Sequence, residues 1–327
     1  MAFYEKMSII DKKDREILFH LSLHARASLK EIAKKTRVSK EVVHYRIKNL
    51  EAKGIIEGYY AVINTYRMGW TFYRVYMKTF NMTADIEQKF IQFLKNNKNV
   101  TWVVQMDGDL DFLYVVWAKD ISEFQKTYME INDAFGKYLE QKFFSVMTDV
   151  YYFKSKYLLT KESDSFQLTG GKIYYPDLDA EDKQLLTLLS HDCRLSLMDI
   201  AKKIKSTAKT VQRRMKKLEH AKIITCYQVK INHKLLGYTQ RKIMLNLNDT
   251  STQTMKKLIT FLTYHPLTIY ITIAIGQYDL EFEMMESSHE DFHKLLKALK
   301  KEFGNIIKNY STVIFYDEPK VGQLALE

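Results

Sequence analysis

Two basic segments of this sequence carry side chains whose types and spacing suit the binding of double-stranded DNA. The first reads SKEVVHYRIKNLEAKGII from Ser39 to Ile56, and the second reads TAKTVQRRMKKLEHAKII from Thr207 to Ile224. Both segments place apolar residues at helical spacing, and Ser39 is expected to cap the first helix. Lysine and arginine pair with phosphates and guanine edges, and glutamine pairs with adenine edges. Each segment is therefore typical of a helix that enters the major groove.

The helical spacing separates an inward stripe from an outward face. The stripes predicted to face the core are Val43, Ile47 and Leu50 in the first helix and Val211, Met215 and Leu218 in the second. The side chains that we expect to contact DNA are Lys40, Glu41, His44, Tyr45, Arg46, Lys48, Lys209, Gln212, Arg213, Arg214 and Lys216. Two roles stay open for Arg46 and Arg214: a phosphate contact, or an internal ion pair with an acid of the preceding first helix. Because the two outward faces differ, we expect an asymmetric or imperfectly palindromic binding site.

The positive charge of the chain is concentrated around these helices. The chain of 327 residues has a formal net charge of +11. Residues 26–54 hold nine Lys or Arg against three Asp or Glu, and residues 194–222 hold ten against two. The two stretches together exceed the net charge of the whole chain, so the rest is slightly acidic. This distribution indicates a polyanion as partner, and a solvated basic face on a protein-interaction unit is the alternative.

A single offset of 168 residues aligns the two halves of the chain. The run Ile32-Ala33-Lys34-Lys35 returns at 200–203, and Asn64 and Gly69 return as Asn232 and Gly237. Such a long constant offset indicates duplication of a whole unit rather than a short solenoid repeat. The predicted domains are a winged helix-turn-helix at 1–66, a ferredoxin-like domain at 67–153, a linker at 154–176, and the second pair at 177–234 and 235–327.

The hydrophobic period changes within each half in a way that predicts an α+β fold. Asp11 is expected to cap a first helix, and Ser28 with Glu31 forms a capping box for a second. A third helix ends at Gly54, and residues 55–63 alternate as a hairpin would. Three helices and a hairpin predict a winged helix-turn-helix. The order β-α-β-β-α-β follows from Thr71 onward and again from Thr239, which predicts a ferredoxin-like unit in each half.

These motifs resemble the Lrp/AsnC family of prokaryotic transcription regulators, also called feast/famine regulators. The matching residues include Leu29-x-x-Ile32-Ala33, then Val43-x-x-Arg46-Ile47-x-x-Leu50-Glu51-x-x-Gly54-Ile55-Ile56, and later Gly108-x-x-Asp111. The resemblance covers almost the whole chain, twice. It implies dimerisation through ferredoxin-like sheets, so the fused chain is expected to be a pseudo-dimer that offers two winged helices to one duplex. A further homodimer or higher oligomer stays open.

The resemblance also implies a small-molecule effector, such as an amino acid, near the glycine-aspartate turns. The implied residues are Gly108, Asp111, Gly276 and Asp279. Each has a structural alternative, because a tight turn with positive φ favours glycine and an aspartate can bind local backbone groups. The two turns differ in their neighbours: Asp109-Leu110 in the first is replaced by Gln277-Tyr278 in the second.

Other function classes are less well supported by the sequence. The histidine pairs His20/His24 and His289/His293 have helical metal spacing but lack a third ligand, so no metal and no cofactor are expected. A siroheme decarboxylase resembles this family too, but the ferredoxin-like parts contain only His265, His289 and His293.

The main prediction is a cytoplasmic regulator, not an enzyme and without a membrane partner. A nucleoid-architectural protein and a siroheme-decarboxylase-like enzyme are the alternatives. Cys193 and Cys226 form no disulfide pattern.

Overall fold

The computed structural model describes residues 9–159, 166–174 and 176–321. Residues 160–165 and 175 of the predicted linker lie outside the described residues, as do the first eight and last six residues of the first and last predicted domains. Within the described ranges no helix is long and apolar enough to cross a membrane. The same ranges contain no group of three or more His, Cys, Asp or Glu arranged to hold a metal ion. Cys193 and Cys226 are free and buried.

The first repeat contains a three-helix unit, a single strand and a βαββαβ unit. The first four elements are α1 (Lys12–Leu21), α2 (Leu29–Thr36), α3 (Lys40–Ala52) and β1 (Ile56–Ile63). The βαββαβ unit consists of β2 (Thr71–Thr79), α4 (Ala84–Asn96), β3 (Val100–Gly108), β4 (Phe112–Ala118), α5 (Ile121–Phe135) and β5 (Leu139–Phe153). The predicted α+β class and order of elements are confirmed.

The second repeat follows the same order after one additional strand, β6 (Phe166–Gly170). Its three-helix unit and strand are α6 (Ala180–His191), α7 (Leu197–Lys203), α8 (Ala208–His220) and β7 (Ile224–Ile231). Its βαββαβ unit consists of β8 (Thr239–Leu247), α9 (Thr252–Tyr264), β9 (Thr268–Gly276), β10 (Leu280–Glu286), α10 (His289–Phe303) and β11 (Ile307–Lys320).

Side-chain caps fix where the helices of the first unit begin. The Asp11 carboxylate accepts a hydrogen bond from the Asp14 backbone, and the Asp11 backbone N–H donates the reciprocal bond to the Asp14 carboxylate. Ser28 and Glu31 form the predicted capping box. The Ser39 hydroxyl accepts from the backbone of Val42. These contacts satisfy backbone donors that have no partner within the helix. As a result, α3, the helix predicted to enter the major groove, starts at a defined residue.

The strand that follows each recognition helix pairs with its counterpart in the other repeat. β1 and β7 form an antiparallel two-stranded sheet, here called the ribbon. The hairpin predicted within each repeat is therefore wrong, because each repeat supplies one strand and the second strand comes from the other repeat. Tyr60 lies opposite Gln228, its own equivalent at the 168-residue offset. Pairing between equivalent positions is typical of a two-fold axis, and here that axis relates two parts of one chain.

The two ferredoxin-like sheets close into one eight-stranded barrel. The first sheet has the order β5-β2-β4-β3 and the second has the order β11-β8-β10-β9. β3 pairs with β11 at one seam and β5 pairs with β9 at the other. Closure leaves these eight strands without a free edge. The sequence predicted the two sheets, and the structure shows that they join edge to edge.

The segment between the repeats is partly built into the fold. β6 pairs with β5 and extends the sheet beside the second seam. Lys156 is fully buried, and its ammonium group donates to the Thr263 carbonyl. The predicted linker at 154–176 is therefore an ordered connection at its described ends. A common apolar core joins both three-helix units and the ribbon, with Ile17 and Leu18 of α1 in the same cluster as Leu185 and Leu186 of α6.

Candidate nucleic-acid interface

The first recognition helix, α3, presents its predicted outward face to solvent. Val43, Ile47 and Leu50 are buried, as the helical spacing predicted. The exposed side chains are Lys40, Glu41, His44, Tyr45 and Lys48. Tyr45 is 71% exposed, which is unusual for a large aromatic side chain that has no partner surface. The face therefore combines cationic, hydrogen-bonding and aromatic groups on a single free surface.

The second recognition helix, α8, has the same geometry and a more basic face. Val211, Met215 and Leu218 are buried. The exposed side chains are Lys209, Gln212, Arg213 and Lys216. Thr207 caps the helix by accepting from the Thr210 backbone, so the N-terminal turn that carries Lys209 is well defined. Both faces keep the residues predicted to contact DNA accessible, with two exceptions.

The exceptions are Arg46 and Arg214, which are bound to acids of the preceding helices. Arg46 Nη1 lies 2.7 Å from Asp11 Oδ2 and 2.8 Å from Asp14 Oδ1. The hydrogen bonds that the Arg46 guanidinium donates to these two carboxylates raise its pKa. Of the two roles left open for Arg46, the structure shows the internal ion pair. This ion pair holds α3 against α1 through Nη1, and a DNA contact by Arg46 stays a prediction.

Arg214 makes the equivalent contacts in the second repeat. Its Nη1 atom lies 2.8 Å from both Asp179 Oδ2 and Asp182 Oδ1, and its Nε atom lies 3.1 Å from Glu181 Oε2. Asp182 is almost fully buried, so this carboxylate depends on the arginine for charge compensation. Arg214 likewise holds α8 against α6, and a DNA contact by Arg214 stays a prediction.

A reciprocal pair of arginines joins the two three-helix units. Arg26 donates to the carbonyls of Cys193 and Leu195, and Arg194, its equivalent, donates to the Ala25 carbonyl at 3.0 Å. Each guanidinium also lies over a ribbon tyrosine of the other repeat: Arg26 over Tyr227 at 5.8 Å and Arg194 over Tyr59 at 5.0 Å. We call these five contacts the arginine clasp.

The same tyrosines tie each recognition helix to the ribbon. The Tyr59 hydroxyl donates to Glu51 Oε1 at 2.7 Å, and the Tyr227 hydroxyl donates to Glu219 Oε1 at 2.6 Å. Burial and the adjacent carboxylate raise the pKa of both phenols, so they remain hydrogen-bond donors. Sequence analysis missed these residues, although their identity at the 168-residue offset is a signal that could have found them. They fix the two recognition helices relative to one two-fold axis.

Of the four residues predicted to bind an effector, Gly108 and Gly276 lie at the two barrel seams, opposite Val313 and Ser145. Gly108 has φ +129° and Gly276 has φ +153°, and a Cβ atom on either would collide with a backbone carbonyl of the neighbouring strand. Although partial burial opposes it, hydrogen bonds from Lys78 and Thr79 hold the pKa of Asp111 below its ordinary value. Asp279 accepts from the Leu247 backbone at 2.8 Å. The structural alternatives for these residues are therefore present, and effector binding there stays a prediction.

A cavity of about 750 Å³ lies between the ribbon and the inward-facing side chains of the barrel. Its walls include Tyr60 and Gln228 of the ribbon and Arg74, Trp102 and Glu283 of the barrel. His265, His289 and His293, the histidines considered for a tetrapyrrole site, do not line it. His233 does line it, and burial lowers the pKa of its imidazole to about 4.

Comparison with known proteins gives matches to both halves. A winged helix-turn-helix DNA-binding family matches residues 10–57, and the AsnC-type helix-turn-helix domain matches residues 178–219. The HTH-type transcriptional regulator LrpA of Pyrococcus horikoshii is 35% identical over 115 residues, which are 34% of this chain and 78% of that protein. The proline dehydrogenase transcriptional activator of Rhodobacter capsulatus is 33% identical over 121 residues, 36% of this chain and 77% of the activator.

One solved structure is similar over nearly the full length of the chain. The siroheme decarboxylase NirDL aligns with a TM-score of 0.63 and 10% identity, covering 96% of this chain and 95% of its own. At this identity the likeness concerns the fold, namely two helix-turn-helix units and two ferredoxin-like units in one arrangement.

Proposed function

Because this chain belongs to the Lrp/AsnC family of transcriptional regulators, we propose that it binds one DNA site with both of its recognition helices, each of which reads one half-site. The observation that carries the proposal is the two-fold relation between the repeats. Tyr60 pairs with Gln228 across the ribbon, and α3 and α8 are tied to that ribbon by equivalent contacts. B-DNA has local two-fold axes, so two helices related in this way can approach two half-sites equivalently.

Fusion of the two repeats has a thermodynamic consequence for DNA binding. Once α3 is bound, α8 is held near the second half-site at a high effective concentration. The arginine clasp and the shared apolar core limit the relative motion of the two units. A single chain would therefore bind two half-sites, as the two chains of a homodimer do. The half-sites are expected about 34 Å apart or at a multiple of that distance.

The two half-sites are proposed to be unlike in sequence. α3 offers Glu41, His44 and Tyr45, whereas α8 offers Lys209 and Arg213 at nearby positions. Arginine and lysine pair well with the acceptor atoms of guanine. We therefore expect a guanine-containing half-site for α8 and a different one for α3. A small-molecule effector at the turns around Asp111 and Asp279, and action in the cytoplasm, remain part of the proposal.

The fold likeness to a siroheme decarboxylase keeps an enzymatic role as the second candidate. Siroheme carries many carboxylates, which need cationic partners in a binding site. The cavity is lined by five carboxyl side chains and three cationic ones, and two of the cations, Arg74 and Lys230, are already paired with Glu281 and Glu57. This charge balance favours the regulator. Absorbance titration of the protein with siroheme tests the enzymatic alternative directly. Saturable binding of siroheme would support that alternative.

The proposed function is tested by selecting bound sequences from a random DNA library at about physiological salt. Enrichment of two unlike half-sites separated by one helical turn, or by a multiple of it, is the expected result. Binding without any enriched sequence would support the architectural alternative. Failure to bind DNA would contradict both.

A further inference from the structure

The cavity between the ribbon and the barrel contains a carboxyl group without a charged partner. Glu318 of β11 is half-buried and lines the cavity. Its Oε1 atom accepts a hydrogen bond from Trp102 Nε1 at 2.8 Å. Among the described residues, no lysine, arginine or histidine lies within ion-pair distance of it, although two other acids that line the cavity are paired: the buried Glu283 with Lys242 at 3.0 Å and the exposed Glu57 with Lys230 at 2.9 Å.

The electrostatic surroundings disfavour the charged form of Glu318. Burial is the main cause and the neighbouring Glu283 carboxylate adds to it, so the pKa of Glu318 rises to about 7. A cation bound beside Glu318 would stabilise the carboxylate that the protein leaves uncompensated. The free protein thus holds a carboxyl group whose ionised form a cationic ligand would stabilise.

Aromatic rings line the same cavity as this carboxyl group. Tyr60 of the ribbon, Trp102 of β3 and Tyr152 and Tyr270 near the second seam all line the cavity and are only partly buried. Aromatic faces attract ammonium and guanidinium groups, and their rings also pack against apolar ligand bodies. A volume of about 750 Å³ is of the size that holds a drug-sized molecule. A carboxylate amid aromatic rings is the combination that binds an amine with an apolar body.

We propose that this cavity is a binding site for an organic cation, a primary amine or guanidinium compound with an apolar body, whose charged group pairs with Glu318. Gly108, Asp111, Gly276 and Asp279 do not line the cavity, so the site is separate from the effector position implied by the family resemblance.

The site is placed where a ligand can influence DNA binding, a consequence that rests on the proposed function. Side chains alternate along a strand, so Tyr60 and Gln228 face the cavity while their neighbours Tyr59 and Tyr227 hold the recognition helices. A ligand beneath the ribbon contacts the opposite face of the same two strands. Its occupancy would shift the relative position of α3 and α8.

Binding can be measured on the DNA-free full-length protein by tryptophan fluorescence, because Trp102 lines the cavity. The probes are phenethylamine, its neutral analogue 2-phenylethanol, and the anion 3-phenylpropionate. We expect saturable binding of phenethylamine that is at least tenfold tighter than binding of either analogue. Equal affinity for amine and alcohol, tighter binding of the anion, or no binding of phenethylamine at millimolar concentration would each overturn the proposal.

The variant Glu318→Gln keeps the size of the side chain and an acceptor for Trp102 but removes the charge. It should weaken phenethylamine binding about tenfold, and the matched control Glu302→Gln on the exposed face of α10 should not change it. Unchanged affinity in a folded Glu318→Gln protein would overturn the assignment. If that variant does not fold, the three-probe comparison on the unaltered protein decides alone.

The affinity for phenethylamine should also rise with pH. The groups that face Glu318 are Glu283 of β10, Lys230 of β7, Asp317 of β11 and the phenols of Tyr60 and Tyr270. Phenethylamine stays cationic below pH 9, so its affinity should rise as Glu318 ionises through about pH 7. A pH-independent affinity would contradict the pairing. Because these measurements use no DNA, their failure would leave the proposed DNA binding untouched.

Discussion

At the scale of single residues, the same backbone conformation is built with different residues in the two repeats. Gly54 ends α3 with φ +68°, and its counterpart Lys222 ends α8 with φ +58°. A left-handed conformation costs a residue with a Cβ atom roughly 1–2 kcal/mol. The second repeat lacks the glycine of the first at this position, and the structure shows that the helix end is retained with a strained lysine.

Replacing Lys222 by glycine should therefore stabilise the protein by about 1 kcal/mol, because it removes the strain without breaking a described contact. The measurement is the midpoint of reversible urea unfolding. The matched change Gly54→Lys should destabilise by a similar amount. If both substitutions left the midpoint unchanged, the left-handed conformation at these positions would be disproved.

The division of arginines and lysines on the recognition helices also belongs to this scale. Lys209, Arg213 and Lys216 are exposed and free to meet phosphates, whereas Arg214 is bound to acids of α6. Replacing the three exposed cations by alanine should weaken DNA binding and lower the slope of log affinity against log salt by about 2–3, since each phosphate contact releases about one counterion.

Arg214→Gln is the control for that experiment. It should lower stability, because Asp182 loses a partner, yet leave the salt slope of DNA binding close to that of the unaltered protein. If Arg214→Gln lowered the salt slope as much as removal of one exposed cation does, Arg214 would be shown to contact DNA.

At the scale of elements, the sequence predicted where helices and strands lie along the chain but not which strands pair with each other. β2 begins at Thr71 and β8 begins at Thr239, as predicted, because the hydrophobic period is a local property. The ribbon was mistaken for a hairpin, since residues 56–63 alternate in the same way whichever strand lies beside them. The outward faces of α3 and α8 were predictable from helical spacing. The arginine clasp was not, because Arg26 and Cys193 are distant in sequence.

The arginine clasp should contribute more to the affinity for a duplex with two half-sites than to the affinity for an isolated half-site. Replacing Arg26 and Arg194 together by alanine removes all five contacts of the clasp between the two repeats. We expect affinity for a two-half-site duplex to fall roughly tenfold, because the effective concentration of the second helix falls. Affinity for an isolated half-site, measured by fluorescence anisotropy, should change less than twofold. Equal losses on both duplexes would show that the clasp does not set the spacing.

At the scale of the whole molecule, buried charges join the two repeats at the centre of the barrel. Glu281 of β10 is fully buried and pairs with Arg74 of β2 and, at 2.8 Å, with Lys242 of β8. Arg74 and Lys242 are equivalent at the 168-residue offset, but the counterpart of Glu281 in the first repeat is Leu113. Two copies of the first repeat would leave Arg74 without a carboxylate, so the network favours pairing of unlike repeats.

Removing the charge of Glu281 should destabilise the whole barrel. Burial opposes ionisation, but Lys242 and Arg74 hold the pKa of Glu281 below its ordinary value, so it is a carboxylate in the folded protein. Glu281→Gln leaves two buried cations short of a partner and should cost about 3 kcal/mol of unfolding free energy. The exposed change Glu302→Gln should cost less than about 0.5 kcal/mol. Equal stability of the two variants would contradict the role of the network.

The central claim is that one chain reads two half-sites as a pseudo-dimer. It is tested most directly by measuring affinity for a series of duplexes in which the spacing between two selected half-sites is varied one base pair at a time. Affinity should be highest when the half-sites lie on one face of the duplex, about 10 base pairs or a multiple apart, and should fall to the level of one half-site when 5 base pairs are inserted. Sedimentation should give one chain per duplex at the optimum. Affinity independent of spacing, or two chains at every optimal site, would contradict the account.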